Sequence, residues 1–561
     1  MSFACPVREQ RLILNHVVGI ADLGCDGDIV DAVLEGAAQL AEGEFAPLLR
    51  DGDTVGSRWD NGVVRTPPGF KEAYKAFADG GWMGLAGPES AGGQGLPLSL
   101  AAAMMDDLNA ANVGFALCPM LGLGAVEAIE AHGSEALKRD YLPRIVSGEW
   151  TATMNLTEPQ AGSDVGALKT RAVPDGEGNW RISGTKIFIT YGEHDLADNI
   201  IHTVLARTPD APEGTRGISL FLVPKILPDG SRNDVKCVSI EHKLGIHASP
   251  TCVMSYGDGG EGAVGWMIGE ECGGMRAMFT MMNNARINVG LQGVGIAERA
   301  TQRAIEYARN RIQGTAGPAR QPVAIADHPD VRRMLVRMRA LTMGARALTY
   351  YAFGQIDRSI QGDDRAAESR AAIMTPLAKT WGTDVGCEVA SIGVQVHGGM
   401  GYIEETGAAQ HLRDARIAPI YEGTNGIQAA DLVGRKLGLD GGIAFDGLIA
   451  DVRADAVHPQ LIALADAVEI AAATLRAASP TDRLAASYPF LTMTSVMVAG
   501  WLLERLARAL AAEGEQDEFL RAREAAIEYF LGAVVPEALG LGAAITAGAE
   551  QLYAAPVAGL A

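Results

Sequence analysis

The sequence predicts a mostly α-helical protein with one central β domain, because the spacing of apolar residues changes twice along the chain. From about residue 45 to residue 150 apolar residues recur at helical spacing, and from Trp150 to about Gly262 they alternate. Helical spacing then returns and continues through the C-terminal region. We therefore expect a helical domain, a β domain and a four-helix bundle in this order, followed by an additional helical domain.

The boundaries of these domains follow from breaks in the pattern. A glycine-dense segment at 438–447 predicts a linker before the last domain. The expected segments are an N-terminal helical arm at 1–41, a helical domain at 42–150, the β domain at 151–262, the bundle at 263–440 and the additional helical domain at 441–561.

Individual elements can be placed within these domains. Strands are predicted at 180–190, 200–206 and 217–223, where period-two alternation is bounded by Gly, Pro and Asp. Long helices with few breakers are predicted at 275–311, 329–356, 366–393 and 425–437, and later at 461–478 and 522–531. The uncharged run 490–503 is too short to span a bilayer, so we interpret it as a buried helix.

Composition narrows the class of protein. The 68 acidic and 47 basic side chains give a formal charge of −21, which would repel nucleic acid and anionic membranes. Seven cysteines without a CxxC pair argue against a disulfide framework and a zinc knuckle. No targeting peptide is visible near Met1, so we expect a cytoplasmic protein with no membrane span.

The segment Pro419-Ile-Tyr-Glu-Gly-Thr-Asn-Gly-Ile-Gln428 predicts a catalytic base. It places Glu422 between an aromatic residue and a glycine in an apolar setting. Loss of water raises the pKa of such a carboxylate, which suits a base that must take a proton from a weakly acidic C–H bond.

Two further segments could contact a flat or phosphorylated ligand. The polar loop Thr157-Glu-Pro-Gln-Ala-Gly-Ser-Asp164 precedes the strands and offers N–H and O–H donors, although an ordinary turn would have the same composition. Gln395-Val-His-Gly-Gly399 ends a predicted helix, and a helix C-cap alone would explain its glycines. His242 and His247 lack nearby Cys or carboxylate at ligand spacing, so no metal is expected.

These three segments, taken in their order along the chain, resemble the acyl-CoA dehydrogenase family of flavoenzymes. The likeness extends over essentially the whole chain and implies the family's helical, β-barrel and four-helix-bundle domains. Tyr421 to Gln428, Met281-Met-Asn-Asn-Ala-Arg286, His247 and the two terminal additions resemble a subgroup of longer members that includes enzymes acting on 3-methylmercaptopropionyl-CoA.

The resemblance implies FAD as cofactor and assigns roles to individual residues. Glu422 is the expected base, because Ala285 stands where some relatives carry the carboxylate. Ser163, Arg286 and Gly423 are expected on the substrate side, although a lone arginine on an apolar helix could also snorkel or pair with an acid. The residues expected to bind the cofactor are Met154, Leu156, Thr157, Gly162, Ser163, Phe188, Ile189, Thr190, Arg311, Gln313, Gln395, Gly398, Gly399, Thr424 and Asn425.

The implied reaction is removal of two hydrogens from an acyl-CoA to give the trans-2-enoyl-CoA. Glu422 takes the α proton, FAD receives the β hydride, and an electron-transfer flavoprotein accepts the electrons. Arg311, Gln313 and the 395–399 segment match positions that meet the cofactor of a neighbouring subunit, so a homo-oligomer, with a dimer favoured, is expected. An oxygen-using acyl-CoA oxidase and a flavin-free acyl-CoA-binding protein stay open, as do short thioether, medium and longer straight acyl chains.

Overall fold

The chain forms two compact units in the computed structural model, which describes residues 3–176, 178–316, 321–362, 364–512 and 517–561. The mixed unit consists of Gln39–Leu96 and Ala111–Ala285. The helical unit consists of Met1–Ala38, Pro97–Ala110 and Arg286–Ala561. Two long helices, Leu98–His132 and Gly274–Asn310, contribute residues to both units.

The mixed unit is organised around a β-sheet. A hairpin of β1 (Arg58–Asp60) and β2 (Val63–Arg65) precedes it. The sheet strands are β3 (Thr151–Asn155), β4 (Arg171–Pro174), β5 (Trp180–Thr190), β6 (Ile200–Ala206), β7 (Ser219–Pro224), β8 (Val235–Ile240), β9 (Thr251–Tyr256) and β10 (Ala263–Ile268).

Strand pairing follows the order β3-β6-β7-β10-β5-β9-β8, with β4 paired to β5. The β3–β6 pair is parallel, and the other pairs are antiparallel. The buried apolar core of the sheet includes Ile182, Phe221, Val223 and Met254. The predicted strands at 180–190 and 200–206 match β5 and β6, whereas β10 lies beyond the predicted end of the β domain at residue 262.

Helices make up most of the remaining chain. They are α1 (Val7–Ile13), α2 (Gly27–Leu40), α3 (Leu49–Val55), α4 (Phe70–Asp79), α5 (Leu98–His132), α6 (Glu135–Val146), α7 (Gly274–Asn310), α8 (Pro329–Gly362), α9 (Arg365–His397), α10 (Ala408–Ala415), α11 (Asn425–Gly434), α12 (Ile443–Asp455), α13 (Pro459–Ala477), α14 (Pro480–Ala485), α15 (Ser487–Ala512), α16 (Glu518–Tyr529), α17 (Val535–Leu539), α18 (Gly542–Thr546) and α19 (Glu550–Ala554). Two short strands, β11 (Ile312–Ala316) and β12 (Gln321–Ala324), follow α7.

Glycines allow α7 and α9 to approach closely in the helical unit. A Cβ atom at Gly293 would lie 2.0 Å from the carbonyl oxygen of Gly382, and one at Gly290 would lie 2.5 Å from that of Ala378. Larger residues at these positions would push the helices apart. The glycines at 290–295 therefore serve helix packing.

The helices after residue 441 pack on the bundle. The rings of Trp381 and Phe530 lie 6.0 Å apart, and those of Tyr351 and Trp501 lie 5.5 Å apart. The predicted buried helix over 490–503 lies within α15, whose residues there are buried except for the half-buried Thr492. By length and apolarity alone, Leu98–His132, Ser487–Ala512 and Glu518–Thr546 could cross a membrane, and their most apolar windows are 89%, 83% and 33% buried within the protein.

A group of charges, buried except for the half-buried Arg523, connects the N-terminal arm to later helices of the helical unit. This Glu9 cluster consists of Glu9, Asp106, Glu298, Arg339, Arg346 and Arg523. Arg346 Nε lies 2.7 Å from Asp106 Oδ2, Arg339 Nη1 lies 2.7 Å from Glu298 Oε2, and Arg523 Nε lies 2.6 Å from Glu9 Oε2. The three acids and three arginines balance in charge, which is required of ions removed from water.

Candidate active site

The predicted catalytic base lies in a tight loop of the helical unit. Glu422 adopts φ 55° and Gly423 follows with φ 85°, so two successive residues occupy the left-handed region. That conformation is unfavourable for glutamate and is found where surrounding contacts enforce it. The Asn425 N–H donates to the Pro419 carbonyl across the loop at 2.9 Å. The loop thus presents one carboxylate from a constrained backbone.

Burial dominates the electrostatics of Glu422. Burial raises the pKa of its carboxyl group above the ordinary value, and the charges of Arg286 and Lys379 offset part of this rise. The side chain keeps some accessible surface although protein atoms surround it. Among the described residues, none donates a hydrogen bond to its carboxylate. The direction of the pKa shift is the one predicted from sequence.

Arg286 supports this loop through the backbone. Its Nε donates to the carbonyl oxygen of Glu422 at 3.3 Å, and only 9% of the residue is exposed. Gly423 lies beside the guanidinium, since a Cβ there would stand 3.7 Å from Arg286 Nη2. Arg286 therefore lies next to the candidate base, and it is buried instead of snorkelling. Its substrate-side role stays a prediction.

Sequence reasoning missed Lys379, a second cation near Glu422. Lys379 is on α9, is fully buried, and its Nζ donates to Asn425 Oδ1 at 2.8 Å. Burial lowers the pKa of Lys379 to about 7, although Glu422 and Asp384 oppose this shift. A lone lysine in the apolar stretch Thr375-Pro-Leu-Ala-Lys-Thr-Trp381 was the available signal.

The predicted ligand loop Thr157–Asp164 is anchored in the mixed unit by a buried ion pair. Glu158 accepts from Lys186 Nζ at 2.8 Å and from the backbone N–H of Lys169 and Thr170 at 2.7 and 3.0 Å. Although burial alone would raise it, these donors hold the pKa of Glu158 down to about 2. The motif's glutamate is thus a structural anchor, and its neighbours stay accessible: Thr157 is half-buried, and Gly162 and Ser163 are exposed.

The strand next to this loop carries an exposed aromatic side chain. The Ile187 N–H donates to the Thr157 carbonyl at 2.9 Å and ties the loop to β5. The next residue, Phe188, has φ 60° and is 57% exposed. A bulky residue in this conformation with its ring left accessible is unusual, and it indicates a surface for a flat ligand.

The remaining predicted cofactor residues of the mixed unit form the support for that surface. Met154 and Ile189 are buried at 6% and 2% exposure, whereas Leu156 and Thr190 are half-buried. The first two would act through packing or backbone groups, and the last two keep accessible side-chain surface.

Five predicted cofactor residues of the helical unit are exposed at two places. Arg311 and Gln313 follow α7, and Gln395, Gly398 and Gly399 lie at the end of α9. A Cβ atom added to Gly398 or Gly399 would meet nothing within 4 Å. Gly398 has φ 58°, so a helix end does explain one of the two glycines, while open space remains beside both.

Thr424 and Asn425 have structural contacts in this loop. The Thr424 side chain caps α11 by accepting from the Ile427 N–H at 3.1 Å. Asn425 is 3% exposed, and its amide group bonds Lys379, Thr383 and Asp384. The side-chain amide of Asn425 is therefore hydrogen-bonded to other protein groups, and its position gives no support for the predicted cofactor contact.

A second glutamate with a raised pKa was also missed. Glu127 on α5 accepts a hydrogen bond from Asn284, and burial raises its pKa to about 8. Both residues belong to the mixed unit. Glu127 differs from Glu422 because its carboxylate accepts a hydrogen bond from the amide group of Asn284. Within the ranges that the structure describes, no group of three His, Cys, Asp or Glu side chains could hold a metal ion.

Comparison with known proteins shows similarity along the chain. Family models match the N-terminal, middle and C-terminal domains of acyl-CoA dehydrogenases at residues 31–149, 153–258 and 273–437. A model described as acetyl-CoA dehydrogenase C-terminal like matches residues 448–556.

Individual relatives extend this similarity to full length. A 3-methylmercaptopropionyl-CoA dehydrogenase of Ruegeria pomeroyi is 45% identical over 99% of this chain and 100% of its own length. The broad-specificity linear acyl-CoA dehydrogenase FadE5 of Mycobacterium tuberculosis is 32% identical over 94% and 95% of the two chains. A Bacillus anthracis acyl-CoA dehydrogenase complexed with FAD shares the fold, with a TM-score of 0.70, 22% identity, and coverage of 93% and 95%.

Proposed function

The chain belongs to the acyl-CoA dehydrogenase family, and from this premise we propose that Glu422 is the base that removes the α proton of the acyl-CoA substrate. The observation that carries the proposal is the conformation and pKa of Glu422. Glu422 has a positive φ in a tight loop, and burial raises its pKa. Among the described residues, no side chain donates a hydrogen bond to its carboxylate.

The groups around Glu422 suit proton abstraction. Its carboxylate is ionised above a raised pKa and then takes a proton more readily than an ordinary surface glutamate. Among the described residues, none accepts a hydrogen bond from the Glu422 backbone N–H, which supports a role for this donor on the thioester carbonyl oxygen. Negative charge grows on that oxygen as the α proton leaves, and a fixed donor stabilises it.

FAD is the cofactor of this family, and the accessible groups fit it. In the mixed unit, the exposed ring of Phe188 and the loop at Thr157 and Ser163 suit the flat ring of the cofactor. In the helical unit, taken by itself, the open space beside Gly398 and Gly399 suits the phosphates of a cofactor. Bound FAD supplies the acceptor for the hydride that leaves the β carbon. Arg311 offers a guanidinium for pyrophosphate oxygens.

For the substrate we propose a short thioether acyl-CoA, 3-methylmercaptopropionyl-CoA. Full-length similarity to a dehydrogenase of that name supports it. Straight-chain acyl-CoA esters are the second candidate, since FadE5 is also similar over nearly the full length. For the electron acceptor we propose an electron-transfer flavoprotein, and use of oxygen instead would make the protein an oxidase.

The test is an anaerobic titration of the holoenzyme with 3-methylmercaptopropionyl-CoA and a series of straight-chain acyl-CoA esters, followed by flavin absorbance. Bleaching by the thioether ester at the lowest concentration is the expected result. Preferential bleaching by a straight chain would replace the substrate proposal, and absence of bleaching with every ester would contradict the acyl-CoA assignment. Oxygen uptake without added acceptor would favour the oxidase.

The assignment of the base is tested separately with Glu422→Gln. This variant should retain FAD and bind acyl-CoA but lose flavin reduction by about 10⁴-fold, the upper range for general base catalysis. Glu127→Gln is the matched control, because it also removes a buried carboxyl group with a raised pKa. Loss of activity in Glu127→Gln with near-normal activity in Glu422→Gln would transfer the role to Glu127.

We also propose a homo-oligomer, with a dimer favoured. Exposed apolar side chains next to Gly399 support it, because Met400, Tyr402 and Ile403 are 50%, 86% and 45% exposed. Such a group of exposed apolar residues is typical of a protein interface. Light scattering of the FAD-bound protein tests this proposal, and a monomer with full FAD content would refute it.

A further inference from the structure

A chain of hydrogen bonds begins beside the catalytic loop. Lys379 Nζ donates to Asn425 Oδ1 at 2.8 Å, and Asn425 is the first residue of α11, three positions after Glu422. Because Oδ1 faces the ammonium group, the amide nitrogen of Asn425 must point the other way. The orientation of this amide is thus set by Lys379.

The amide nitrogen continues the chain toward α9. Asn425 Nδ2 donates to Asp384 Oδ1 at 2.9 Å and to Thr383 Oγ1 at 3.0 Å. The second oxygen of Asp384, Oδ2, accepts from the hydroxyl group of Tyr488 at 2.6 Å. Each link therefore has one donor and one acceptor in a defined direction.

Tyr488 belongs to a different part of the chain from the other members. It lies in the second position of α15, within the additional helical domain matched at 448–556. All members belong to the helical unit. The chain Tyr488–Asp384–Asn425–Lys379 thus connects the additional domain to a buried cation near Glu422.

The charges around Lys379 indicate how this chain of hydrogen bonds acts on the pKa of Glu422. Burial raises the pKa of both Asp384 and Glu422, and Lys379 opposes the rise at each. The hydroxyl group of Tyr488 and the amide group of Asn425 also stabilise the charged form of Asp384. The charged or titratable groups that act on this chain are Glu422, Arg286, Asp384, Arg416, Cys387 and Tyr488.

We propose that Lys379 is a positioning residue for the base and that Tyr488 makes the additional domain part of this arrangement. The inference rests on the proposed role of Glu422. Lys379 acts at a distance: its positive charge favours the ionised form of Glu422 without occupying the carboxylate, and Asp384 and Asn425 hold the ammonium group in place. This gives the additional domain a function in the chemical step.

Tyr488→Phe is the most informative variant, because it removes one hydroxyl group from a side chain that is 39% exposed. Without that donor Asp384 gains a proton more easily, the ammonium group of Lys379 loses support, and the pKa of Glu422 rises further. The acidic limb of the pH profile for flavin reduction should therefore move to higher pH. At a fixed pH on that limb, we expect the rate to fall about tenfold if the limb moves by a full pH unit, with KM unchanged.

Lys379→Met should move the acidic limb in the same direction and further. Tyr553→Phe is the matched control, since Tyr553 is 75% exposed on α19 of the same domain. A wild-type pH profile in both Tyr488→Phe and Lys379→Met would overturn the proposal. An effect of Lys379→Met alone would overturn the part assigned to the additional domain.

The outcome is distinguishable from failure of the proposed function. If wild-type protein does not reduce its flavin with any acyl-CoA, or if Glu422→Gln stays active, the role of Glu422 itself fails. If wild type is active and Glu422→Gln is not, the comparison of Tyr488→Phe with Tyr553→Phe tests only the positioning chain. Because Tyr488→Phe is a conservative change at a partly exposed position, the test does not depend on whether Lys379→Met folds.

Discussion

The Glu9 cluster and the Glu422 loop both remove glutamates from water, but they change their pKa values in opposite directions. In the cluster burial is outweighed by the nearby arginines, so the pKa values of Glu9 and Glu298 fall below their ordinary range. At Glu422 the cations lie nearby without bonding the carboxylate, and burial prevails. Asp106 shows that the balance is narrow, since burial still raises its pKa beside Arg346.

This difference separates a structural carboxylate from a reactive one. A carboxylate that is fully hydrogen-bonded to arginines stabilises the fold and resists protonation. A buried carboxylate without direct partners reduces stability and accepts a proton readily. Burial of charge alone therefore does not identify an active site, whereas burial without direct pairing does so more reliably.

Glu9→Gln should produce the largest change in stability. It removes the carboxylate partner of Arg523 and one of the acidic partners of Arg346. Removing one member of a buried ion pair costs about 3–5 kcal/mol. Urea unfolding measures the effect. Glu35→Gln is the control, because Glu35 is on the same arm but its side chain is 65% exposed and lies 3.8 Å from Arg11. Equal effects of the two variants would show that the cluster adds nothing beyond a surface pair.

The second-largest expected effect is the dependence of the Glu9 cluster's stabilisation on acidic pH. The pKa of Glu298 is lower in the folded state than in the unfolded chain. Its contribution is therefore fully present above the unfolded pKa of about 4.5 and is lost as the pH falls toward the lower folded pKa. The difference in unfolding free energy between wild type and Glu298→Gln should shrink below about pH 4.5. A constant difference from pH 7 to pH 3 would contradict this ionic role.

Glu422→Gln should have the smallest effect on stability and the opposite sign. The pKa of Glu422 is higher in the folded protein than in the unfolded chain, so the protonated carboxyl group favours the folded state. This stabilisation is present at low pH and is lost as the pH rises through the folded-state pKa. We expect the neutral amide to raise the melting temperature slightly at pH 8 and to have less effect at pH 5. A clear destabilisation at pH 8 would mean that the carboxylate has partners in the folded protein.

The sequence was sufficient for features that depend on local patterns. The helices α7, α8 and α9 and the strands β5 and β6 follow from residue spacing, and the raised pKa of Glu422 follows from its apolar neighbours in the chain. β10 lies beyond residue 262, where the β domain was predicted to end, because a glycine-rich turn precedes this strand.

Features formed by distant residues could not be predicted in this way. Lys379 and Asn425 are 46 positions apart, and Asp384 and Tyr488 are 104 apart. Neither pair leaves a periodic pattern, because each contact depends on how whole helices pack. Asn425 illustrates this, because its amide nitrogen donates to Thr383 and Asp384, which lie 42 and 41 positions away in the chain.

The contact between Glu9 and Arg523 has a consequence for synthesis of the chain. The two residues are separated by 514 positions, and ribosomes add about 5–20 residues per second. Glu9 therefore precedes this partner by roughly half a minute to two minutes. During that time the α1 segment cannot complete this contact, so its final docking must await translation of α16.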